Sequence, residues 1–355
     1  MAVFCSPDFD NHEHISFFSC KETGLQVIIA IHSTYRGPTL GGCRMWPYET
    51  EQEAIMDALR LSRGMTYKAA MADLPYGGGK AVIIGDPQKE KSEALFRSLG
   101  RCLNHLNGRY ITGEDVGTSV EDMEIIRATS PYVVGLSTKT PGGSGDPSPV
   151  TAYGVYKGML AAIKYKMGKD SVKGLRVGVQ GLGHVGANLC KILHENGAKL
   201  MVADISQTRM QEMVDQYGAE AVAPEIIYCA ELDIFAPCAL GGILNEHTIP
   251  LLRAPIVAGA ANNQLAAPRD GEYLNQRDIL YAPDYVINSG GLINVTMEGA
   301  QYNRERAYMK VDQIYDTLMQ VFTCAEKKEW STSHAADYVA EQRLSNSSFD
   351  LKLCE

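Results

Sequence analysis

The sequence predicts an α/β protein with two domains, and three observations support this prediction. The chain has 355 residues, more than a single hydrophobic core ordinarily organises. Short apolar strands alternate with segments of helical periodicity along most of its length. A proline- and glycine-rich stretch at residues 140–149 interrupts this alternation and marks a candidate boundary. We therefore expect an N-terminal α/β domain over residues 1–150, a doubly wound domain over residues 151–288, and C-terminal helices over residues 289–355 that return across the cleft.

Local patterns place the elements of the first domain. Apolar residues recur at helical spacing through Ala54, Ala58 and Leu61, which predicts a helix. Ser119, followed three residues later by Asp122, is typical of a helix N-terminus. On these grounds we expect strands at residues 25–32, 80–84 and 110–112, and helices at residues 50–72, 92–106 and 119–128.

The second domain shows a cleaner doubly wound pattern. Its strands are short and apolar, and helices alternate with them as in βαβ units of a parallel sheet. Predicted helices cover residues 151–165, 183–196 and 208–217, and predicted strands cover residues 175–180, 200–203, 233–236 and 255–258. From about residue 288 the chain is mostly helical.

Composition and charge argue against several classes of function. The chain is 45% hydrophobic and 21% charged, which is ordinary for a globular protein. Its formal net charge of −9 leaves no basic surplus for neutralising phosphates, so we expect no nucleic-acid partner. No apolar run reaches the roughly 18 residues of a membrane span and no signal peptide is evident, so we expect a cytoplasmic protein without a membrane partner. Nine cysteines without a C-x-x-C pair indicate reduced thiols, and no spacing indicates a metal site.

A run of three glycines, Gly77 to Gly79, ends on Lys80 and is followed by an apolar, strand-like stretch. Because glycine has no side chain, a ligand can approach such a backbone closely and meet the lysine ammonium. A second lysine, Lys68, lies twelve residues upstream at the end of a predicted helix. Buried lysines readily become bases near neutral pH, so the pair suggests a site for an anionic substrate that also needs proton transfer. Taken alone, the same residues also fit a flexible turn with a solvated lysine.

A second glycine motif, Gly181-Leu-Gly183-His-Val-Gly186, follows a predicted strand and opens a predicted helix, as in dinucleotide-binding domains. There Gly181 makes the tight turn, Gly183 lets a pyrophosphate approach the amides at the helix N-terminus, and Gly186 lets helix and strand pack closely. Asp204 closes the next strand, where a carboxylate binds ribose hydroxyls and repels a 2′-phosphate, so NAD is favoured over NADP. Arg209 lies five residues further on, and its positive charge would weaken this preference for NAD over NADP. A purely structural glycine-rich turn is the alternative.

Together these motifs resemble the Glu/Leu/Phe/Val dehydrogenases, in particular the leucine and phenylalanine dehydrogenase branch. The resemblance covers about residues 13–325, and the tail beyond looks less similar to the family. The matching segments are Ile29–His32, Gly41-Gly42, Arg60-Leu61, Gly64–Lys68, Gly77–Lys80 with Val82, Ile83–Pro87, Asn107–Arg109, Glu114-Asp115, Gly259–Asn263 and Ala282–Tyr285.

The resemblance implies a role for each matching residue. Lys68 would bind the substrate carboxylate, Lys80 would activate water and polarise the reacting carbon, and Asp115 would exchange protons with the substrate nitrogen and Lys80. Asn262 would lie near the amino group and the nicotinamide. Backbone or cofactor-side contacts are implied for Gly41, Gly78 and Thr151. The apolar pocket would be lined by Leu40, Gly113, Val134, Leu292 and Val295.

The function implied by the resemblance is reversible, NAD-dependent oxidative deamination of an apolar L-amino acid to its 2-oxo acid and ammonia. Gly113 and Leu292 slightly favour phenylalanine as substrate, with leucine or another branched-chain amino acid as the alternative. Residues 1–150 would form the substrate-binding and catalytic domain and take part in a homo-oligomer, and residues 151–288 would form a Rossmann domain for NAD.

Two functions of other classes are also considered. A catalytically idle NAD-binding regulator would have lost one of Lys68, Lys80 or Asp115, yet all three are present. A 2-hydroxy-acid dehydrogenase would share the nucleotide fold but has no use for a lysine after three glycines.

Overall fold

The computed structural model describes residues 3–345, which form two compact units. The first unit contains the chain up to Asp146 together with Asn294–Arg304, and the second contains Pro147–Ile293 and the chain from Glu305 onward. The division at Asp146 lies within the proline- and glycine-rich stretch. The C-terminal part is divided between the units, whereas the sequence suggested one helical segment over residues 289–355.

A five-stranded mixed sheet organises the first unit. Its strands are β1 (His14–Cys20), β2 (Leu25–Ser33), β3 (Thr39–Trp46), β4 (Gly77–Ile84) and β5 (Tyr110–Glu114), and its helices are α1 (Glu51–Met71), α2 (Glu93–His105) and α3 (Val120–Arg127). The strand order is β1-β2-β4-β3-β5. Strand β2 is antiparallel to β1 and β4, while β3 is parallel to β4 and β5.

Both faces of this sheet are covered, which explains why β2 is an almost continuous apolar run. Val27 and Ile29 pack with Phe96 of α2, while Ile28 packs with Leu59 of α1. Successive side chains of a strand point to opposite faces, so a strand between two helical layers must be apolar at every position. Each such buried side chain contributes about 1.5–3 kcal/mol to folding.

A six-stranded parallel sheet organises the second unit, in the order β11-β10-β9-β6-β7-β8. Its strands are β6 (Arg176–Gln180), β7 (Lys199–Ala203), β8 (Glu220–Ala221), β9 (Ile234–Pro237), β10 (Ile256–Val257) and β11 (Leu280–Tyr281). The helices from Pro147 onward are α4 (Ser148–Met167), α5 (His184–Glu195), α6 (Gln207–Tyr217), α7 (Pro268–Gln276), α8 (Asp284–Ile287), α9 (Gly290–Thr296), α10 (Arg304–Val311), α11 (Gln313–Lys328) and α12 (Thr332–Ser345). This is the doubly wound arrangement that the sequence predicted.

The predicted helices and strands are present with small shifts at their ends, and two strands of the first sheet were missed. Strands β1 and β3 were not predicted, and β4 begins at Gly77, three residues before the expected start at Lys80. The capping box at Ser119 is confirmed, because its hydroxyl accepts from the Asp122 amide and the Asp122 carboxylate accepts from the Ser119 amide. Within residues 3–345, the structure contains no helix long and apolar enough to cross a membrane.

Candidate active site

The three glycines before Lys80 belong to strand β4, where neighbouring atoms fill the space that side chains would need. A Cβ atom at Gly77 would collide with the Ser33 carbonyl oxygen, and one at Gly78 would collide with the backbone of Thr66. A Cβ atom at Gly79 would lie 2.6 Å from the ring of Tyr110. The alternative of a flexible turn is therefore wrong, because the glycines lie in a strand, and the expected bare surface is filled on this side of the backbone. The glycines let helix α1 and strands β2 and β5 approach β4 closely.

Lys80 and Asp115 form a shielded ion pair across strand β3. Lys80 lies in β4, Asp115 follows β5, and β3 is paired with both strands. The Lys80 Nζ lies 2.7 Å from Asp115 Oδ2, and only 6% of the Lys80 side chain is exposed. A Cβ atom at Gly42 of β3 would lie 2.7 Å from the Asp115 Cβ, so glycine at this position leaves room for the carboxylate.

Arg44 provides a second cation for the same carboxylate. Its Nε donates to Asp115 Oδ2 over 3.0 Å, and its Nη1 donates to Asp57 Oδ2 over 2.9 Å. Burial raises the pKa of Asp115, but the charges of Lys80 and Arg44 lower it more, and the pKa is held at about 2. Asp115 is therefore ionised throughout the neutral range, with its orientation fixed from two sides.

Asp57 of helix α1 completes this network. It accepts from Arg60 Nη2 over 2.8 Å and from the Tyr48 hydroxyl. Burial raises the pKa of Asp57, while Tyr48, Arg44 and Arg60 lower it, and the net effect is a decrease. Sequence reasoning missed Arg44 because β3 was not predicted, and it missed Asp57 because the partner Arg44 was not recognised. The apolar residues Cys43 and Met45 on either side of the polar Arg44 were the available signal for this strand.

Lys68 lies in the last turn of helix α1 and is half-buried. Two residues earlier on the same helix, Thr66 fills the space beside Gly78. The end of α1 that carries Lys68 is thus packed against the strand that carries Lys80. Gly41 takes part in the same close packing, because a Cβ atom there would collide with the Gly79 carbonyl oxygen.

The residues expected to line an apolar pocket are divided between the two units. Leu40, Gly113, Val134 and Val295 belong to the first unit, and Leu292 belongs to the second. A Cβ atom at Gly113 would lie 3.5 Å from Val134 Cγ2, which is an ordinary contact distance. Leu40 is buried in β3, beside Gly78 of β4.

Glu298 holds the segment that carries Val295 within the first unit. Its carboxylate accepts from the Gly135 amide over 2.9 Å, and from the Ser144 amide and hydroxyl over 2.9 and 2.6 Å. The Leu136 amide also donates to it, at 3.2 Å. The segment three residues after Val295 is thus tied to the loop directly after Val134. Sequence reasoning missed Glu298, since a lone glutamate in a helical stretch carries no signal of such a contact.

The three glycines of the second motif have three different environments. Gly181 has a φ of +96°, which favours glycine, and Gly186 packs so closely on the Gly181 carbonyl that a Cβ atom would collide with it. Nothing lies within 4 Å of a Cβ atom at Gly183, directly before helix α5 begins at His184. This open backbone at a helix N-terminus fits the pyrophosphate of a dinucleotide.

Asp204 lies at the end of β7 beside this motif. Its Oδ2 accepts from the Leu182 amide over 2.6 Å, and its Oδ1 accepts from the Ser206 amide over 2.8 Å. Each carboxylate oxygen can accept a second hydrogen bond, so the geometry is compatible with binding ribose hydroxyls.

Thr151 and Asn262 lie elsewhere in the second unit. The Thr151 hydroxyl donates to the Pro147 carbonyl over 3.0 Å within helix α4. Asn262 is exposed beyond β10, and its Oδ1 accepts from the buried Asn288 Nδ2 over 2.7 Å. Within the described residues, no cluster of three or more His, Cys, Asp or Glu side chains is arranged to hold a metal ion.

Comparison with known proteins gives matches over nearly the whole chain. Residues 12–132 match the family model of the Glu/Leu/Phe/Val dehydrogenase dimerisation domain, and residues 142–208 and 201–348 match that of the Glutamate/Leucine/Phenylalanine/Valine dehydrogenases. The second match reaches residue 348, so the expected end of the resemblance near residue 325 was wrong.

Individual relatives give the same result. The chain is 55% identical to leucine dehydrogenase of Geobacillus stearothermophilus, over 97% of this chain and 94% of that protein. It is 45% identical to phenylalanine dehydrogenase of Caldalkalibacillus thermarum, with the same two coverages. The crystal structure of L-tryptophan dehydrogenase from Nostoc punctiforme is similar with a TM-score of 0.83 and 47% identity, covering 95% of this chain and 97% of that one.

Proposed function

Because the chain belongs to the Glu/Leu/Phe/Val dehydrogenase family and is an amino acid dehydrogenase, we propose that it deaminates an apolar L-amino acid reversibly, with NAD as its cofactor. The products are the 2-oxo acid, ammonia and NADH, and one water molecule is consumed. The observation that carries the proposal is the shielded contact of 2.7 Å between Lys80 and Asp115. Such a pair can move protons in a site that excludes bulk water.

The chain's own residues have distinct tasks in this reaction. Lys68 binds the substrate carboxylate and fixes the amino acid by charge. When bound, the nicotinamide cofactor supplies the acceptor for the hydride that leaves the α-carbon, and the substrate becomes an iminium ion. Lys80 takes a proton from the water that attacks the iminium carbon. Lys80 then passes this proton to Asp115, which gives it to the substrate nitrogen, so Lys80 is a free base again. The carbon–nitrogen bond breaks, ammonia leaves, and the hydroxyl group becomes the carbonyl as it gives its proton to Lys80.

The preference for NAD is assigned to Asp204. Its carboxylate is held beside the Gly181–Gly186 motif by the amides of Leu182 and Ser206. At this position a negative charge repels the 2′-phosphate of NADP. Arg209 is exposed on helix α6 and would favour NADP instead, so comparing the two cofactors tests the assignment.

For the substrate, we place a branched-chain amino acid first and an aromatic one second. Identity is higher to the leucine dehydrogenase, at 55%, than to the phenylalanine dehydrogenase, at 45%. The open space at Gly113 favours the aromatic alternative, because a methyl group there would already reach Val134. A single methyl group changes discrimination by only about 1–3 kcal/mol, so we expect mixed specificity.

The test is ammonia-dependent oxidation of NADH with 2-oxo acids that carry isobutyl, isopropyl, benzyl or indolylmethyl side chains. We expect the highest kcat/KM with the isobutyl compound and much weaker activity with NADPH. A benzyl compound favoured by tenfold would move the assignment to phenylalanine. Oxidation of NADH that does not require ammonia would contradict the proposed reaction. So would the absence of NADH oxidation with every one of these compounds.

We further propose a homo-oligomer in the cytoplasm. The family model over residues 12–132 describes a dimerisation domain, and β1 is an edge strand with a half-exposed Phe17. The cysteines among residues 3–345 are free thiols, as expected in a reducing compartment. Light scattering on the purified chain tests the oligomer.

A further inference from the structure

We propose that Arg44 is a positioning residue for the dehydrogenase reaction: its guanidinium, held by Asp57, fixes the Asp115 carboxylate beside Lys80 and keeps a second positive charge next to the Lys80 amine. The proposal rests on the catalytic roles proposed above for Lys80 and Asp115. Arg44 itself acts through Asp115, with which it is in direct contact.

The geometry is that of two cations on one oxygen. Lys80 Nζ and Arg44 Nε lie 2.7 and 3.0 Å from Asp115 Oδ2. The two nitrogens are therefore no more than about 6 Å apart, a distance at which like charges repel appreciably in a shielded site. Arg44 and Asp115 are both largely buried, with 19% and 17% of their side chains exposed. Solvent screens this interaction only weakly.

The fork of the guanidinium explains why this position is an arginine. The Arg44 Nε donates a hydrogen bond to Asp115, and Nη1 donates one to Asp57. Asp57 is in turn fixed by Arg60 and Tyr48. A lysine ammonium is a point charge and cannot bridge the two carboxylates in the same planar geometry. Arg44 therefore ties the reacting carboxylate to helix α1, the helix that also carries Lys68.

The charge of Arg44 changes how tightly the Lys80–Asp115 pair holds its proton. Asp115 alone would attract the proton of Lys80 strongly, because it is the nearest opposite charge. Arg44 shares that negative charge, and its own positive charge repels a positive charge on Lys80. The proposed reaction needs Lys80 without its proton when water attacks, so we expect loss of the Arg44 charge to restrict activity to higher pH.

Lys68, on the end of α1 that packs against β4, is another cation of this site, and it is unchanged in every variant compared below. The other neighbouring groups stay neutral or keep a constant charge in the assay range. Burial raises the pKa of Cys43 on β3 to about 12 and the pKa of Tyr110 on β5 well above its ordinary value, so both stay neutral in an assay near pH 7–10. On the α1 side, Asp57 has a lowered pKa and stays ionised. On the side of α2 and α3, the opposite charges of Lys91 and Asp122 form an ion pair and largely cancel.

The experiment measures kcat for amino acid oxidation against pH. On the acidic limb of this profile, kcat rises with pH. We expect Arg44→Gln to move the midpoint of that limb upward by about 1 pH unit, with a change in KM of less than about threefold. Arg44→Lys keeps the charge but loses the fork, so its limb should stay near that of the wild type while kcat falls. Asp57→Asn removes a negative charge next to Arg44 and should move the limb downward. If these substitutions only disturbed the local structure, Arg44→Gln and Asp57→Asn would not be expected to move the acidic limb in opposite directions.

The matched control is Arg36→Gln. Arg36 is also a shielded arginine, with 7% of its side chain exposed against 19% for Arg44, and it pairs with Asp73 over 2.9 Å. We expect it to lower thermal stability without moving the acidic limb. A folded Arg44→Gln variant with the wild-type limb would overturn the proposal. If that variant does not fold, an Asp57→Asn limb that is unshifted or shifted upward would overturn it instead. A Lys80→Ala variant that kept its activity would overturn the proposed function itself, so the two failures are distinguishable.

Discussion

Two glycine-rich segments, Gly77–Gly79 in the first unit and Gly181–Gly186 in the second, use glycine for different purposes. In the first, all three positions are filled by neighbouring parts of the same chain, and the chemistry is carried by the side chain of Lys80. In the second, Gly183 opens onto empty space at the start of a helix. The same residue type therefore permits close packing in one segment and leaves open space at a helix N-terminus in the other.

The largest expected effect follows from assigning the chemistry of the first segment to one side chain. Lys80→Ala should lower kcat by about 10³-fold, because it removes the group that activates water. Binding of NAD, measured by fluorescence titration, should be unchanged, because the cofactor motif lies in the other unit. Lys89→Ala, on a side chain that is 80% exposed, is the control and should keep full activity. More than a tenth of the wild-type kcat in Lys80→Ala would contradict the assignment.

A pair of glycine substitutions tests the contrast directly. Gly78→Ala forces a methyl group into the backbone of Thr66 and should destabilise folding by about 3 kcal/mol, measured by urea denaturation. At Gly183, the added methyl group would have no neighbouring atom within 4 Å, so Gly183→Ala should leave the free energy of unfolding unchanged. It should instead raise KM for NAD about tenfold, since one favourable backbone contact is worth about 1.4 kcal/mol. Equal loss of stability in both variants would contradict the distinction.

Cofactor choice should depend on the second region alone. Asp204→Ser removes the negative charge beside the glycine motif and should narrow the preference for NAD over NADP by about tenfold. The ratio of kcat/KM for the two cofactors measures this. Comparable use of both by the unmodified enzyme would show that Arg209, and not Asp204, decides the preference.

The smallest expected effect concerns Gly113, a glycine of the first unit whose Cβ position has room. Gly113→Ala should fold normally, because its methyl group would only reach Val134 at 3.5 Å. It should shift kcat/KM toward leucine and away from phenylalanine by about fivefold, since one methyl group occupies the space of a ring edge. A shift toward phenylalanine would contradict the size argument, and an unchanged ratio would show that Gly113 does not line the pocket.

The two regions also differ in how much of them the sequence predicted. The motif from Gly181 to Asp204 is local, so strand, turn, helix and acid were all recognised in order. In the first unit, Lys80 was singled out by its glycine run and Asp115 only by the resemblance, but the contacts that position them link distant residues. Arg44 and Asp115 are 71 residues apart, and Glu298 and Gly135 are 163 apart. Local periodicity carries no information on such pairs, and the need for glycine at Gly42 is visible only once β3 lies between β4 and β5.

The contact made by Glu298 has a consequence for exchanging parts between related enzymes. Residues 294–304 come late in the chain but group with the first unit. A chimera cut once, near Asp146, would combine the loop at Gly135 and Ser144 from one parent with Glu298 from the other. Transplanting the first unit intact therefore requires two pieces of sequence, and Val295, proposed above to line the pocket, lies on the short second piece.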